Sequence, residues 1–218
     1  SSAASDVYKR QGKTALSLQL AAGMAKQGKR VCYFSLETDP ATLQARLIAN
    51  QLYAPLSAVK NKTLSINELD RLADMKRWPL YIRSAAGKGV AWIKAQALRM
   101  KADIIFVDYL QLIHERGSSD RYNAITEISI ALHELAQTTG ILVVALAQLN
   151  RNAARAEPSN ADLRESGQIE QDADAILLLS ADGDTYFSRL TKNKEGRVGN
   201  AGLEFDKMTQ RFTCVTAN

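Results

Sequence analysis

Several absences narrow the class of this 218-residue sequence before any motif is considered. No apolar run approaches the roughly 18 residues needed to cross a membrane, and the N-terminus carries no signal-peptide core. There are two cysteines and two histidines. Cys32 and Cys214 lie far apart in apolar, strand-like runs. They read as buried free thiols in a reducing compartment, not as a disulfide framework. His114 and His133 have no cysteine or histidine at metal-ligand spacing, so the pattern does not indicate a zinc site. Internal repeats and low-complexity stretches are also missing.

What remains is the composition of an ordinary globular protein with one sizeable core: 46% hydrophobic and 23% charged residues. Twenty-eight basic and 23 acidic residues give a net charge of +5. That excess is compatible with a polyanionic partner but does not establish one.

Gly12-Lys13-Thr14, followed by the apolar run Ala15 to Leu20, has the form of the back half of a phosphate-binding loop. Backbone N–H groups at a helix N-terminus hold phosphate oxygens, and the helix dipole favours an anion there. Lys13 would reach the outer phosphates and the Thr14 hydroxyl would ligate Mg²⁺. The front half does not follow the motif: the position five residues before Gly12, where a glycine belongs, holds Val7. Such a loop should also follow a buried strand, and nothing in residues 1–11 has that pattern. Residues 1–11 read either as a foreign leader or truncation scar, or as a natural disordered terminus. Residues 12–218 are then expected to form one domain, incomplete at its N-terminus.

Downstream, strands alternate with helices. Thr14 to Gln27 reads as a buried helix stopped by Gly28. Arg30 to Leu36 is a continuous apolar strand of the kind covered on both faces of a parallel sheet. Asp39-Pro40 supplies an N-cap and first-turn proline for a helix to about Tyr53. Ser65-Ile-Asn-Glu68 is a capping box for another, to about Arg77. A short strand at Pro79–Arg83 and an amphipathic helix at Gly89–Lys101 follow. Ile104–Asp108 and Ile141–Ala147 are two further buried strands, flanking a helix at Ala124–Thr139. Ala175–Leu179 reads as the fourth such buried strand. Beyond Gly183, Thr185–Thr191, Ala201–Asp206 and Arg211–Val215 look like antiparallel edge hairpins. The expected fold class is α/β, an open and mostly parallel sheet with helices on both faces.

In such sheets ligands bind at the carboxyl ends of the strands, where Glu37, Asp108 and Gln148 each end an apolar run. Asp108 has the pattern of a carboxylate that holds Mg²⁺ in a nucleotide site; a strand simply reaching the surface is the alternative. Glu37 suits a general base that orients the attacking water, or else supports the dipole of the next helix. Gln148 reads as a donor to the terminal phosphate or as a structural amide.

Phe34-Ser-Leu-Glu37, Val107-Asp-Tyr-Leu-Gln-Leu112, Ala147-Gln-Leu-Asn-Arg151 and the thirteen residues from Asp162 to Asp174 together resemble the DnaB-family replicative helicases. The resemblance covers the RecA-like motor domain from Gly12 to about Val215. It implies a P-loop ATPase using ATP and Mg²⁺, with Lys13 and Thr14 on phosphate and metal. By the same resemblance Glu37 is the catalytic base, Asp108 the metal-site carboxylate and Gln148 the phosphate sensor. Arg164, Glu165 and Gly167 would face single-stranded DNA in the channel of a homo-hexameric ring. Translocation 5′ to 3′, a primase, a helicase loader and a cytoplasmic location in a bacterial or phage-infected cell are implied in the same way.

Thr191-Lys-Asn-Lys-Glu-Gly196 resembles the segment that reaches into a neighbour's nucleotide site. Lys192 matches the family's first basic residue. The second position holds Lys194 where the family has arginine, so the planar bidentate fork is lost or its role shifts to Arg197. Without the resemblance the stretch is a solvated basic turn. Two other readings stay open at this point. One is a recombinase-like or clock-protein-like ATPase that does not unwind DNA; the other is a catalytically impaired nucleotide-binding fragment.

Overall fold

Residues 31–35 and 104–108 are apolar or nearly so, without polar alternation, and a sheet containing them must be covered on both faces. The computed structural model, which describes residues 12–114, 121–148, 167–183 and 185–215, has this arrangement. Its elements in chain order are α1 (Lys13–Lys26), β1 (Val31–Ser35), α2 (Pro40–Leu52), α3 (Leu56–Asn61), α4 (Ile66–Met75) and β2 (Leu80–Ser84). Then come α5 (Val90–Arg99), β3 (Ile104–Asp108), a 3₁₀ turn (Leu110–Leu112), α6 (Arg121–Thr139) and β4 (Leu142–Ala145). The chain continues with α7 (Gly167–Asp172), β5 (Ala175–Asp182), β6 (Thr185–Asn193), β7 (Gly199–Asp206) and β8 (Arg211–Cys214).

Strands β2-β1-β3-β4 form a parallel sheet in that order, with Ser35 opposite Asp108 at the end of β1 and β3. Successive residues point to opposite faces. Val31, Tyr33, Ile104 and Phe106 pack under α1 and α2, against Leu18, Ala22, Leu43 and Leu47. Cys32, Phe34, Ile105 and Val107 pack on the other face against Ile93 of α5 and Ile125, Ile128 and Leu135 of α6. Local signals set the helix ends. Asp39 Oδ1 accepts from the Thr42 N–H at 2.9 Å, and Ser65 with Glu68 forms the full capping box. Gly28, at φ +82°, follows the end of α1 in the left-handed region that side chains avoid.

Strands β5-β6-β7-β8 form a separate antiparallel sheet. Its apolar face, Leu179, Tyr186, Leu203 and Phe212, packs on Ala15 and Leu16 at the start of α1. Gln19 of α1 ties the two together: its Nε2 donates to Phe212 O at 2.8 Å while its Oε1 accepts from Phe212 N–H at 2.9 Å.

Three expectations are corrected. β5 is not the fourth parallel strand, since it pairs antiparallel with β6. The run Ala-Ile-Leu-Leu-Leu has no polar residue to mark its outward face, and so it imitated a doubly covered strand. β4 is not buried on both faces: Leu142 is 52% exposed. β4 and β5 line one cavity of about 480 Å³, to which residues 142–147 and 172–179 contribute together with residues of α1 and α6. Cys32 is buried but Cys214 is exposed, because β8 is a short edge strand. The short helices α3 and α7 were not expected, and the expected leader at residues 1–11 lies outside the described residues.

Phe106 is fully buried and its ring stacks on Tyr33 with centroids 5.7 Å apart. Phe106→Ala is expected to cost about 3–5 kcal/mol, measured as a lower urea midpoint at unchanged slope.

Candidate nucleotide site

The site is built where α1 begins and the parallel strands end. Gly12 stands at the N-cap of α1 at φ +76°, and a Cβ there would lie 2.5 Å from the Phe212 ring. A side chain is therefore excluded twice, by backbone conformation and by the antiparallel sheet beneath. With no acidic residue in its first turn, the N-terminus of α1 keeps its positive end uncompensated from within the turn.

Thr14 and Tyr33 converge on one carboxylate. Thr14 Oγ1 donates to Asp108 Oδ2 at 2.8 Å, and the Tyr33 hydroxyl donates to the same oxygen at 2.8 Å. Ser17 Oγ lies 2.8 Å from the Tyr33 hydroxyl, so α1, β1 and β3 are joined by one polar chain inside an apolar interior. Burial pushes the Asp108 carboxyl up. The hydrogen bonds from Tyr33 and Thr14 and the charge of Lys13 oppose the shift, while the negative charge of Glu37 adds to it. The Tyr33 hydroxyl is pushed well up, first by burial and then by the Asp108 charge.

Lys13 is half-buried, and burial lowers its pKa against the pull of Asp108. Among the described residues its hydrogen bond is to a neutral acceptor, Ala147 O at 3.2 Å. Gln148, the next residue, donates its N–H to Gln111 Oε1 at 3.2 Å, and Gln111 Nε2 donates back to Gln148 O at 3.0 Å. Glu37 lies two residues beyond Ser35, at the same end of the sheet as Asp108, and is exposed.

The structure thus brings Gly12, Lys13, Thr14 and Asp108 together, with Gln148 beside the acceptor of Lys13 and Glu37 at the same strand ends. Lys192 and Lys194 are elsewhere. The Lys192 ammonium donates to Glu170 O and Gln171 O at the end of α7. Lys194 pairs with Asp174 at 2.6 Å, and that hydrogen bond holds the Asp174 carboxyl below its usual range. Arg197 is exposed, with its carbonyl accepting from Asn193 Nδ2 at 3.2 Å. Gly167 opens α7, while Arg164 and Glu165 lie outside the described residues.

Sequence reasoning missed Tyr33, Ser17 and Gln111. Tyr33 carried a usable signal: a tyrosine within a doubly covered strand needs a partner for its hydroxyl. A hydroxyl and a carboxylate are hard oxygen donors of the kind Mg²⁺ takes, and a half-buried ammonium on a neutral carbonyl beside a helix N-terminus suits phosphate. Tyr33→Phe, which keeps the ring, is expected to cost about 1–3 kcal/mol of stability by taking one of two donors from a buried carboxylate. A urea denaturation beside the wild type measures it.

Comparison with known proteins agrees with this geometry. The family described as the DnaB-like helicase C terminal domain matches residues 8–214. Replicative DNA helicase DnaB of Treponema pallidum (strain Nichols) is 35% identical over 215 residues, covering 93% of this chain and 49% of that protein. Replicative DNA helicase DnaC of Bacillus subtilis (strain 168) is 32% identical over 92% of this chain and 49% of its own length. The chain therefore spans about half the length of these curated relatives. Among solved structures, the ATPase domain of G40P superposes with a TM-score of 0.86 at 28% identity, covering 94% of this chain and 81% of that one. A DnaB-like replicative helicase, described with its interactions with primase, gives a TM-score of 0.84 at 29% identity over 93% of this chain and 54% of that one. A family match over residues 8–214, on a parallel sheet with a buried carboxylate at its strand ends and an antiparallel C-terminal sheet, places this chain in the DnaB-like helicase C-terminal domain family, on the RecA-like ATPase fold.

Proposed function

We propose that this chain is the motor domain of an ATP-dependent replicative DNA helicase that works as a hexameric ring on single-stranded DNA. The convergence of Thr14 on Asp108 beside Lys13, at the strand ends that also carry Glu37 and Gln148, is the observation that carries this reading. Membership of a replicative helicase family supports it.

Lys13 and the N–H groups that open α1 bind the phosphates of ATP, with Gly12 allowing the close approach. Thr14 and Asp108 hold Mg²⁺, which when bound supplies neutralising charge to the phosphate oxygens. Glu37 orients the water for in-line attack and takes its proton. Gln148 senses the terminal phosphate. Most of the rate comes from positioning and charge stabilisation.

Lys192 and Lys194, with Arg197 as the alternative to Lys194, serve a neighbouring subunit's site. Their present contacts with α7 and Asp174 must exchange for that role. Arg164, Glu165 and Gly167 grip the DNA backbone without reading sequence. Translocation runs 5′ to 3′, and primase and a loader are the partners. The neighbour structure described with primase supports the former for that protein. The bacterial relatives support a cytoplasmic site of action, and no helix among the described residues is long and apolar enough to cross a membrane.

The test is ATP turnover by the purified chain with and without single-stranded DNA, beside strand displacement on a forked duplex. Turnover indifferent to DNA, with no strand displaced, overturns the helicase reading. Glu37→Gln is expected to keep Mg-ATP binding while turnover falls about 10²–10⁴-fold. Lys13→Ala is expected to lose the binding itself, as read by titration with a fluorescent ATP analogue.

A further inference from the structure

The peptide group joining Ala147 to Gln148 is held from both sides by side chains. Its carbonyl, on Ala147, accepts from the Lys13 ammonium at 3.2 Å, and its N–H, on Gln148, donates to Gln111 Oε1 at 3.2 Å. The same Gln111 side chain donates through Nε2 to Gln148 O at 3.0 Å. One amide thus supplies a donor and an acceptor to one residue, as a paired strand would. The position of this clamp matters. Register pairing of β3 with β4 ends at Val107↔Ala145, and among the described residues backbone bonds continue it through Leu146, which donates to Val107 O and accepts from Leu110 N–H, each at 2.9 Å. At Gln148 the Gln111 side chain takes over where the backbone ladder stops. Gln111 itself sits in the 3₁₀ turn three residues beyond Asp108, so the clamp runs from the carboxylate's own segment.

We infer that Gln111 is a positioning residue for nucleotide turnover: it keeps Gln148 in place while Lys13 exchanges the Ala147 carbonyl for phosphate. This rests on the reading that phosphate engages Lys13. A charged donor on a carbonyl polarises the whole peptide group and strengthens the hydrogen bond on its N–H side. When the ammonium moves to phosphate, the Ala147 carbonyl loses that donor. The paired bonds of Gln111 then hold the backbone of Gln148, whose side chain must meet the terminal phosphate. A loss of phosphate is felt in the reverse direction through the same peptide group.

The test compares wild-type chain, Gln111→Ala and Gln111→Glu. It uses steady-state ATP turnover, Mg-ATP affinity, thermal midpoint and hydrogen exchange at the Gln148 amide. For Gln111→Ala, kcat is expected to fall about 10- to 100-fold, as for a displaced reacting group, with KM and Mg-ATP affinity within about twofold and the Gln148 amide exchanging faster. Gln111→Glu keeps the acceptor for the Gln148 N–H and loses the donor to Gln148 O, so partial recovery of both exchange protection and kcat is expected. Unchanged kcat in Gln111→Ala beside an active wild type overturns this proposal alone. So does a fall in turnover that merely follows a lowered thermal midpoint in both variants. A wild-type chain that does not bind Mg-ATP overturns the nucleotide-site reading, and this proposal with it.

Discussion

Asp108 is 7% exposed at the end of a strand whose other four residues are apolar. A charge in that position is tolerated only when donors reach it, because desolvation without a partner costs several kcal/mol. Thr14 comes from α1 and Tyr33 from β1, so satisfying one oxygen fixes three elements against each other. The packing follows from that junction. Tyr33 brings its ring against Phe106, and α1 is set down on Val31 and Ile104 with its N-terminus over the strand ends. Lys13 is carried there by the same helix, half-buried and opposite the carboxylate.

The antiparallel sheet does a second job in positioning the N-terminal end of α1. Phe212 lies against Gly12, and Gln19 takes both backbone groups of Phe212. Gln111 treats Gln148 in the same way on the far side of Lys13. Both contacts use a primary amide, which carries a donor and an acceptor at the spacing of a peptide group. The start of the helix and the end of β4 are thus each locked by a glutamine to a segment distant in sequence.

Much of the architecture is legible in the sequence because its signals are local. Asp39-Pro40 and Ser65-Ile-Asn-Glu68 cap the helices that their residue types specify, and Ile104-Ile-Phe-Val-Asp108 is a buried strand ending in a carboxylate. Gly12-Lys13-Thr14 opens a helix beside that carboxylate. The missed features depend on what lies across the fold. β5 has no polar residue to show which face is outward, and its antiparallel pairing is decided by β6. Leu142 reads as core and is exposed because, among the described residues, β4 has a strand on one side only. Gln111 and Gln19 look like surface amides until a contact 37 or 193 residues away gives them partners. The lysines at 192 and 194 read from the resemblance as reaching a neighbour's site, and from residue type alone as a solvated basic turn; within this chain they contact Asp174 and the carbonyls ending α7.

The gap between β4 and β5 has a consequence for solution behaviour. Among the described residues each strand pairs on one side, and both line one cavity that includes Leu142 and Leu177. A free strand edge is a template for other chains, and most proteins blunt such edges with charge, proline or a bulge. β5 has such an irregularity between Ile176 and Leu177, and the cavity beside both strands is kept only while the two sheets hold their spacing. Warming or mild denaturant that separates the two sheets would bare both strand edges together, a template for self-association.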